Sequence, residues 1–411
     1  MNLLPLYIDP GTGSAIFTIA IGIATTFYFL VRGIILKLGV IFFHNKKLSE
    51  AQYKYVIYAE DKRYWPFFEY VLDEFEARKI EIHYFTTSED DPVFTSNYIY
   101  VKGKYIGQNN KAYAFLNFLS ADFVLTTTPH LDVFQWKRSK NVKHYCHMVH
   151  HPGGSVLYHL FSLDYFDSVL IPNEKEAAEL HMIEQIRNLH EKELIVVGNT
   201  FFDRCAEKIK QIPAEEDHRF TVLVSPSWNN SALLSVFGEK LLDPLSKTGW
   251  RIIIRPHPQS LIVEKKMIDT LTEKYKFNSN IEWDFNHENI YTLSKSDIMI
   301  SDFSGIIFDY AFLFNKPVIV NIQDLDLRYL DAFVLENEPY YIQAIKNIGV
   351  QIDGSALLNI KEIITNLYNN EKMQGERIEI KNTMWQYQGE SAKRIADFII
   401  NSAEKGVTDK K

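Results

Sequence analysis

Hydrophobic and polar positions divide the chain into three stretches. From Thr12 to Val31 no charged residue occurs, and this apolar run approaches the roughly 20 residues that span a bilayer. From about residue 53, short β-branched runs alternate with segments whose apolar residues recur at helical spacing. The pattern predicts strands at 55–59, 80–85, 123–127, 142–147, 168–171 and 194–197. Helices are predicted at 66–78, 112–119 and 175–188, the last with Asn173 as its N-cap. A polar, proline-containing segment at 211–218 interrupts the alternation, which restarts with strands at 220–224, 251–254 and around Ile281 and helices at 233–245 and 262–275. Strand and helix in alternation predict parallel sheets covered by helices, so the expected fold class is α/β, with two Rossmann-like domains facing a cleft.

The expected boundaries are a membrane anchor at 1–47, a first domain at 50–212, a second at 218–382 and a terminal helix at 383–405. In that helix Ala392, Ile395, Phe398 and Ile399 share one face. Positive charge follows the apolar run at Arg32, Lys37, Lys46 and Lys47, which predicts a single-pass membrane protein whose N-terminus faces out and whose bulk is cytoplasmic. A cleaved signal peptide fits less well, because no basic residue precedes the run and no small-residue cleavage site follows it. Asp9-Pro-Gly-Thr-Gly-Ser lacks the Lys of a phosphate-binding loop and reads as a helix-entry turn.

Composition narrows the function classes. The 411 residues carry a net charge of −8, which gives no general attraction for nucleic acid, so an anionic ligand requires a local site. Cys146 and Cys205 lack metal-ligand spacing.

Such a site is offered at 297–320. Ile298 to Ile300 form an apolar run that stops at Ser301 and Asp302, after which Ile306, Ile307, Tyr310, Ala311 and Phe314 recur at helical spacing before Pro317 and a second β-branched run. Strand, turn, helix and strand follow in order. The turn then lies at the carboxyl end of a parallel strand, where ligands bind, and the helix start offers free N–H groups to an anion. Ser304 and Gly305 open that helix, and Asp309 lies about one turn further on. A phosphate seat with Asp309 on a ligand hydroxyl is one reading; an ordinary Ser N-cap beside a solvated Asp is the other.

Arg255-Pro-His-Pro follows the strand at 251–254. Each proline fixes its own φ and stiffens the residue before it, so Arg255 and His257 are aimed rather than loose. Arg supplies paired donors to phosphate, and His a hydrogen bond or a proton. Ser225-Pro-Ser227-Trp228 closes the strand at 220–224; Trp228 is read either as packing beside a base or as a buried structural residue. In the first half, His144, His147, His150 and His151 precede Pro-Gly-Gly-Ser. They alternate along a strand without a supporting carboxylate or Cys cluster, which argues against a metal site. His150 or His151, at the strand end, suits a general base, with His151 favoured because it immediately precedes the turn.

The stretch Asp297-Ile-Met-Ile-Ser-Asp-Phe-Ser-Gly-Ile-Ile-Phe-Asp-Tyr, with Asn315-Lys-Pro-Val after it and Arg255-Pro-His-Pro before it, resembles the donor-site motif of the CDP-glycerol glycerophosphotransferases. These are teichoic-acid polymerases and primases with a GT-B-like fold, a resemblance that implies an acceptor domain at 50–212, a donor domain at 218–382 and a terminal helix at 383–405 that crosses back to the first domain. The resemblance implies transfer of an alditol phosphate from CDP-glycerol or a related CDP-alditol to a hydroxyl of a lipid-linked glycan at the membrane, with release of CMP. No cofactor, metal or nucleic-acid partner is implied. His150 or His151 becomes the base, His257 a second catalytic group, and Ser225, Ser227, Arg255, Ser301, Asp302, Ser304, Gly305 and Asp309 the donor-binding set. Gly305 stands where the family usually has a second Ser, and Asn229 and Asn230 where relatives often carry Arg and Asp. Two alternatives keep the fold: a GT-B glycosyltransferase using a nucleotide sugar, and a non-catalytic, membrane-tethered nucleotide-binding protein.

Overall fold

The computed structural model describes residues 21–28, 30–31, 53–150, 154–213, 218–286, 288–322 and 327–408. Two parallel sheets organise it. The first contains β1 (Tyr53–Ala59), β2 (Ile82–Thr86), β3 (Val101–Tyr105), β4 (Ala121–Thr126), β5 (Val142–Met148), β6 (Ser168–Ile171) and β7 (Glu193–Val196), in the order β3-β2-β1-β4-β5-β6-β7. The second contains β8 (Thr221–Val224), β9 (Arg251–Ile254), β10 (Ile281–Trp283), β11 (Ile298–Ser301), β12 (Val318–Val320) and β13 (Val350–Gln351), in the order β10-β9-β8-β11-β12-β13. Both orders reverse beside the first strand of their sheet, between β1 and β4 and between β8 and β11.

Register follows burial. Val56 pairs with Val124 and Ile300 with Val224, all of them inaccessible to solvent, as expected where helices cover both faces of a parallel sheet. One face of the first sheet packs Tyr58, Val124, Tyr145 and Phe166 together; the other packs Tyr55, Ile57, Phe68, Phe75 and Phe123. The C-terminal helix Ser391–Thr408 adds Ile395, Ala396, Ile399 and Ala403 to that second face. Chain order and packing therefore part company at the end: the last helix lies on the first sheet.

Several elements differ from the sequence-based expectation. The edge strand β3, Val-Lys-Gly-Lys-Tyr, has three exposed residues and no apolar alternation to announce it. The helix expected at 233–245 is two, Leu233–Phe237 and Glu239–Ser246, broken at Gly238 with φ +40°. That expected at 262–275 breaks at Glu264 into Ser260–Val263 and Lys265–Tyr275. Thr200–Ile209, Tyr340–Ile348, Ile360–Tyr368 and Glu371–Met384 are further helices. Asn173 does cap Glu174–Arg187, its side chain accepting the N–H groups of Lys175 and Glu176 at 3.0 and 3.2 Å.

The anchor expected at 1–47 lies largely outside the described residues. Its described part, 21–28 and 30–31, is helical. Among the described residues no helix is long and apolar enough to cross a membrane.

Candidate active site

Asp302 follows β11 and is fully buried. Its carboxylate accepts the N–H groups of Ser227 (2.8 Å), Leu233 (2.8 Å) and Ser304 (3.2 Å). One side chain thus holds the turn after β8 against the start of the helix Ile306–Phe314. Burial pushes the Asp302 carboxyl up to about 6 even though those N–H groups pull it down. Ser301 Oγ donates to the Ser225 carbonyl at 2.6 Å, and the Ser225 N–H to the Ile300 carbonyl at 3.0 Å. Both serines are buried. They clip the ends of β8 and β11 together, and the Ser301 hydroxyl is committed to that clip.

Ser304 and Gly305 are partly exposed at the helix start. Gly305 occupies the N-cap position with φ −59°, and no side-chain hydrogen bond caps the helix, so the ordinary Ser-cap reading does not hold. Uncapped N–H groups at a helix start are suited to an anion. Asp309 sits in the first turn, accepts from Asn289 Nδ2 at 3.3 Å and is pushed by burial up to about 7.

Tyr341 joins the two halves here. Its ring packs against Phe308, centroids 5.0 Å apart. A Cβ on Gly305 would meet its hydroxyl at 3.8 Å, and a Cβ on Gly154 (φ +90°) would meet its ring at 3.0 Å. Asp302 and Asp309 both act on it, adding to burial in raising its phenol. Gly154 and the helix start of the donor motif are thus separated by one tyrosine ring.

Arg255 is placed differently from the expectation of an open phosphate clamp. It is buried; its guanidinium pairs with Asp284 and donates to the Asn286 carbonyl at 2.7 Å. Thr292 also donates to Asp284, so the group fixes the loop after β10. His257 is half-buried, and its Nδ1 accepts the Gln259 N–H at 3.1 Å. That bond places the proton of the neutral ring on Nε2. Burial holds the imidazole below its usual range, against the opposing pull of Glu264. The Trp228 ring lies near-parallel to it, centroids 6.3 Å apart, and is 41% exposed, so Trp228 is not a buried structural residue.

In the first half, the histidines separate. His144 Nε2 lies 2.7 Å from Ser168 Oγ and its ring stacks on Phe123. His147 packs on the opposite face against Tyr158 and Phe166. His150 lies beyond β5 among Tyr64, Phe67 and Tyr158, with ring centroids at 5.4, 5.2 and 6.2 Å. Tyr158 Oη is 3.4 Å from its Nδ1. His151 lies outside the described residues. Among the described residues no three His, Cys, Asp or Glu side chains are grouped to hold a metal ion. Behind the turn, buried Glu176 accepts the Ser155 N–H at 3.3 Å, and burial pushes its carboxyl up to about 8.

The sequence matches the family model for CDP-glycerol:poly(glycerophosphate) glycerophosphotransferase over residues 163–401, more than half of the chain. The chain belongs to that family. Comparison with curated proteins returns no match. Among solved structures, the wall teichoic acid polymerase TagF aligns over 86% of this chain and 90% of its own, with a TM-score of 0.54 and 14% identity. The same polymerase as a His-to-Asn variant with CDPG aligns over 92% and 96%, TM-score 0.54, at 13% identity. A putative UDP-N-acetylglucosamine 2-epimerase from Listeria monocytogenes aligns over 86% and 98%, TM-score 0.59, at 13% identity. These matches concern the fold: α/β with parallel sheets, resembling the GT-B glycosyltransferases.

The glycerophosphotransferase match covers Arg255, His257 and the Asp302 turn, and begins after His150 and His151. Tyr341 and Glu176 lie within it but carry no motif, so their sequence context gave no sign of a role. Only the contacts across the join single them out.

Proposed function

We propose that this glycerophosphotransferase-family chain moves an alditol phosphate from a CDP-linked donor, CDP-glycerol in the first instance, to an acceptor hydroxyl and releases CMP. The observation that carries the reading is the meeting, around Tyr341, of Gly154, which follows His150 and His151 in the chain, with the helix start at Ser304 and Gly305, which no side chain caps.

In this reading His150 or His151 takes the proton of the acceptor hydroxyl as its oxygen attacks the donor's distal phosphorus. The bond from that phosphorus to the bridging oxygen breaks, and CMP departs with that oxygen. The helix start at Ser304 and Gly305 holds the pyrophosphate through the Ser304 hydroxyl and the N–H groups that follow Ser304, whose own N–H is taken by Asp302, and His257, protonated on Nε2, donates to it. Asp309 meets a donor hydroxyl. Arg255 acts from behind by fixing the loop after β10, and Ser225, Ser227, Ser301 and Asp302 hold the turn that shapes the seat. Such catalysis rests on positioning and charge stabilisation. The uncharged run from Thr12 to Val31 supports attachment at a membrane, where a lipid-linked glycan is the acceptor.

The test is CMP release from CDP-glycerol by the detergent-solubilised full chain, with and without lipid-linked acceptor. Acceptor-dependent CMP that disappears in His257→Ala supports the reading. Consumption of a nucleotide sugar with no CMP from CDP-glycerol overturns it in favour of glycosyl transfer.

A further inference from the structure

Tyr341 is the second residue of the helix Tyr340–Ile348, which belongs to the second half, yet contacts from the first half put it in place. Glu179 accepts the Tyr340 N–H at 2.5 Å, and Lys175 lies over the Tyr340 ring at 5.5 Å. Gly154 leaves room for the Tyr341 ring where a Cβ would come within 3.0 Å, and Phe308 packs on that ring from the second half. The phenol oxygen lies on the axis of its ring, so holding the ring fixes the oxygen.

That oxygen sits at the start of the helix Ile306–Phe314, 3.8 Å from where a Cβ on Gly305 would stand. Among the described residues no group shares a hydrogen bond with it, and Tyr341 is only partly buried, so the hydroxyl is open to a ligand. Burial, with the charges of Asp309 and Asp302, raises the phenol, which therefore keeps its proton. The two carboxyls are engaged elsewhere: Asp302 accepts from three backbone N–H groups, and Asp309 from Asn289. A phenol O–H, the Ser304 hydroxyl and the helix N–H groups after it together offer donors, which matches the acceptor-only oxygens of a phosphate. A serine at position 305 would bring its own hydroxyl into the space that the Tyr341 oxygen borders.

We propose that the Tyr341 hydroxyl donates to a non-bridging phosphate oxygen of the bound nucleoside diphosphate, and that a serine hydroxyl at position 305 can take its place. The assignment rests on the reading of the Ser304-Gly305 helix start as the pyrophosphate seat. It makes that seat a joint product of the two halves, since Gly154 and Glu179 hold the segment that carries the hydroxyl.

The experiment uses the detergent-solubilised full chain with CDP as probe and titration calorimetry as readout. Tyr341→Phe keeps the ring packing and removes only the hydroxyl; it is expected to weaken CDP binding about tenfold, the scale of one hydrogen bond to a charged oxygen. Adding Gly305→Ser to Tyr341→Phe is expected to bring the affinity back to within about threefold of the parent protein, a coupling that a purely structural role of the phenol would not produce. Unchanged CDP affinity in Tyr341→Phe overturns the proposal, and so does a loss that Gly305→Ser fails to recover. Titration with UDP separates the proposal from the reading beneath it: a parent protein that prefers UDP, with the same loss and recovery, sinks the CDP-linked donor and leaves Tyr341 assigned. Loss and recovery of CDP affinity in a protein that releases no CMP from CDP-glycerol sinks the transfer reading alone. A parent protein that binds neither nucleotide overturns both.

Discussion

His257 follows β9 and Asp302 follows β11, the strands on either side of β8, and the two do opposite kinds of work. Asp302 is consumed by three backbone N–H groups, whereas His257 uses one ring nitrogen on Gln259 and keeps a protonated Nε2. His257→Ala is therefore expected to lower turnover by about 10²-fold, the scale of losing one donor aimed at developing charge. Its thermal unfolding midpoint should stay close to that of the parent protein, and steady-state CMP release with a melting curve checks both. Gly305 has no backbone need to be glycine, since its φ is −59° and a Cβ meets nothing nearer than 3.8 Å. Gly305→Ser should fold normally and bind CDP-glycerol within about threefold of the parent, which titration calorimetry would show; a loss of an order of magnitude would mean the ligand backbone needs that gap. Residue types and spacing made His257, Asp302 and the Ser304-Gly305 start legible in the sequence. The pairing of Arg255 with Asp284, and the placing of Tyr341 between two glycines, depend on segments far apart in the chain, and no local pattern encodes them.

Elements were legible where burial imposed a period. β1, β4, β8 and β11 carry apolar runs at 55–59, 123–125, 222–224 and 298–300 because helices cover both faces of their sheets, while edge strand β3 carries Lys on either side of a Gly and reads as a loop. The entry to the helix Thr200–Ile209 shows the other limit. Gly198 has φ +88°, and a Cβ there would lie 2.4 Å from the Gln386 carbonyl. The backbone at 198 thus touches the segment just before the terminal helix, where Asp203 accepts from Trp385 Nε1 (3.0 Å), Gly389 N (2.7 Å) and Ser391 N (3.1 Å). Gly198→Ala is expected to cost about 2 kcal/mol or more, from the left-handed backbone and the carbonyl contact together. Urea denaturation would measure it, and an unchanged midpoint would mean that the terminal segment docks independently of this contact.

At the scale of the whole molecule, the buried carboxyls of Asp302 and Glu176 and the partly exposed one of Asp309 gather where the two halves meet. Asp302, Asp309 and Glu176 are raised by burial to about 6, 7 and 8, against roughly 4 in an unfolded chain. The folded state holds these protons more tightly, so the stability they contribute is full below about pH 4 and is lost as pH rises toward 8. Melting temperature should fall between pH 5 and 8, and Glu176→Gln should flatten the upper part of that fall; an unaltered slope would place Glu176 in water. The join itself is held by Arg187, which pairs with Asp164 at 2.8 Å and with Asp331. Asp331 also accepts the Phe161 N–H at 2.9 Å, and its own N–H donates to the Tyr158 carbonyl at 2.9 Å. Because Tyr158 forms one wall around His150, this ion pair sets the position of a candidate base as well as the contact between the halves. Arg187→Met keeps the aliphatic stem but leaves two largely buried carboxylates uncompensated, which is expected to cost about 3–5 kcal/mol. Where the protein stays folded, turnover should fall more than CDP-glycerol affinity, since the donor seat on the second sheet is untouched. Equal losses in both would instead mean that the pair holds the whole cleft together rather than the wall beside His150.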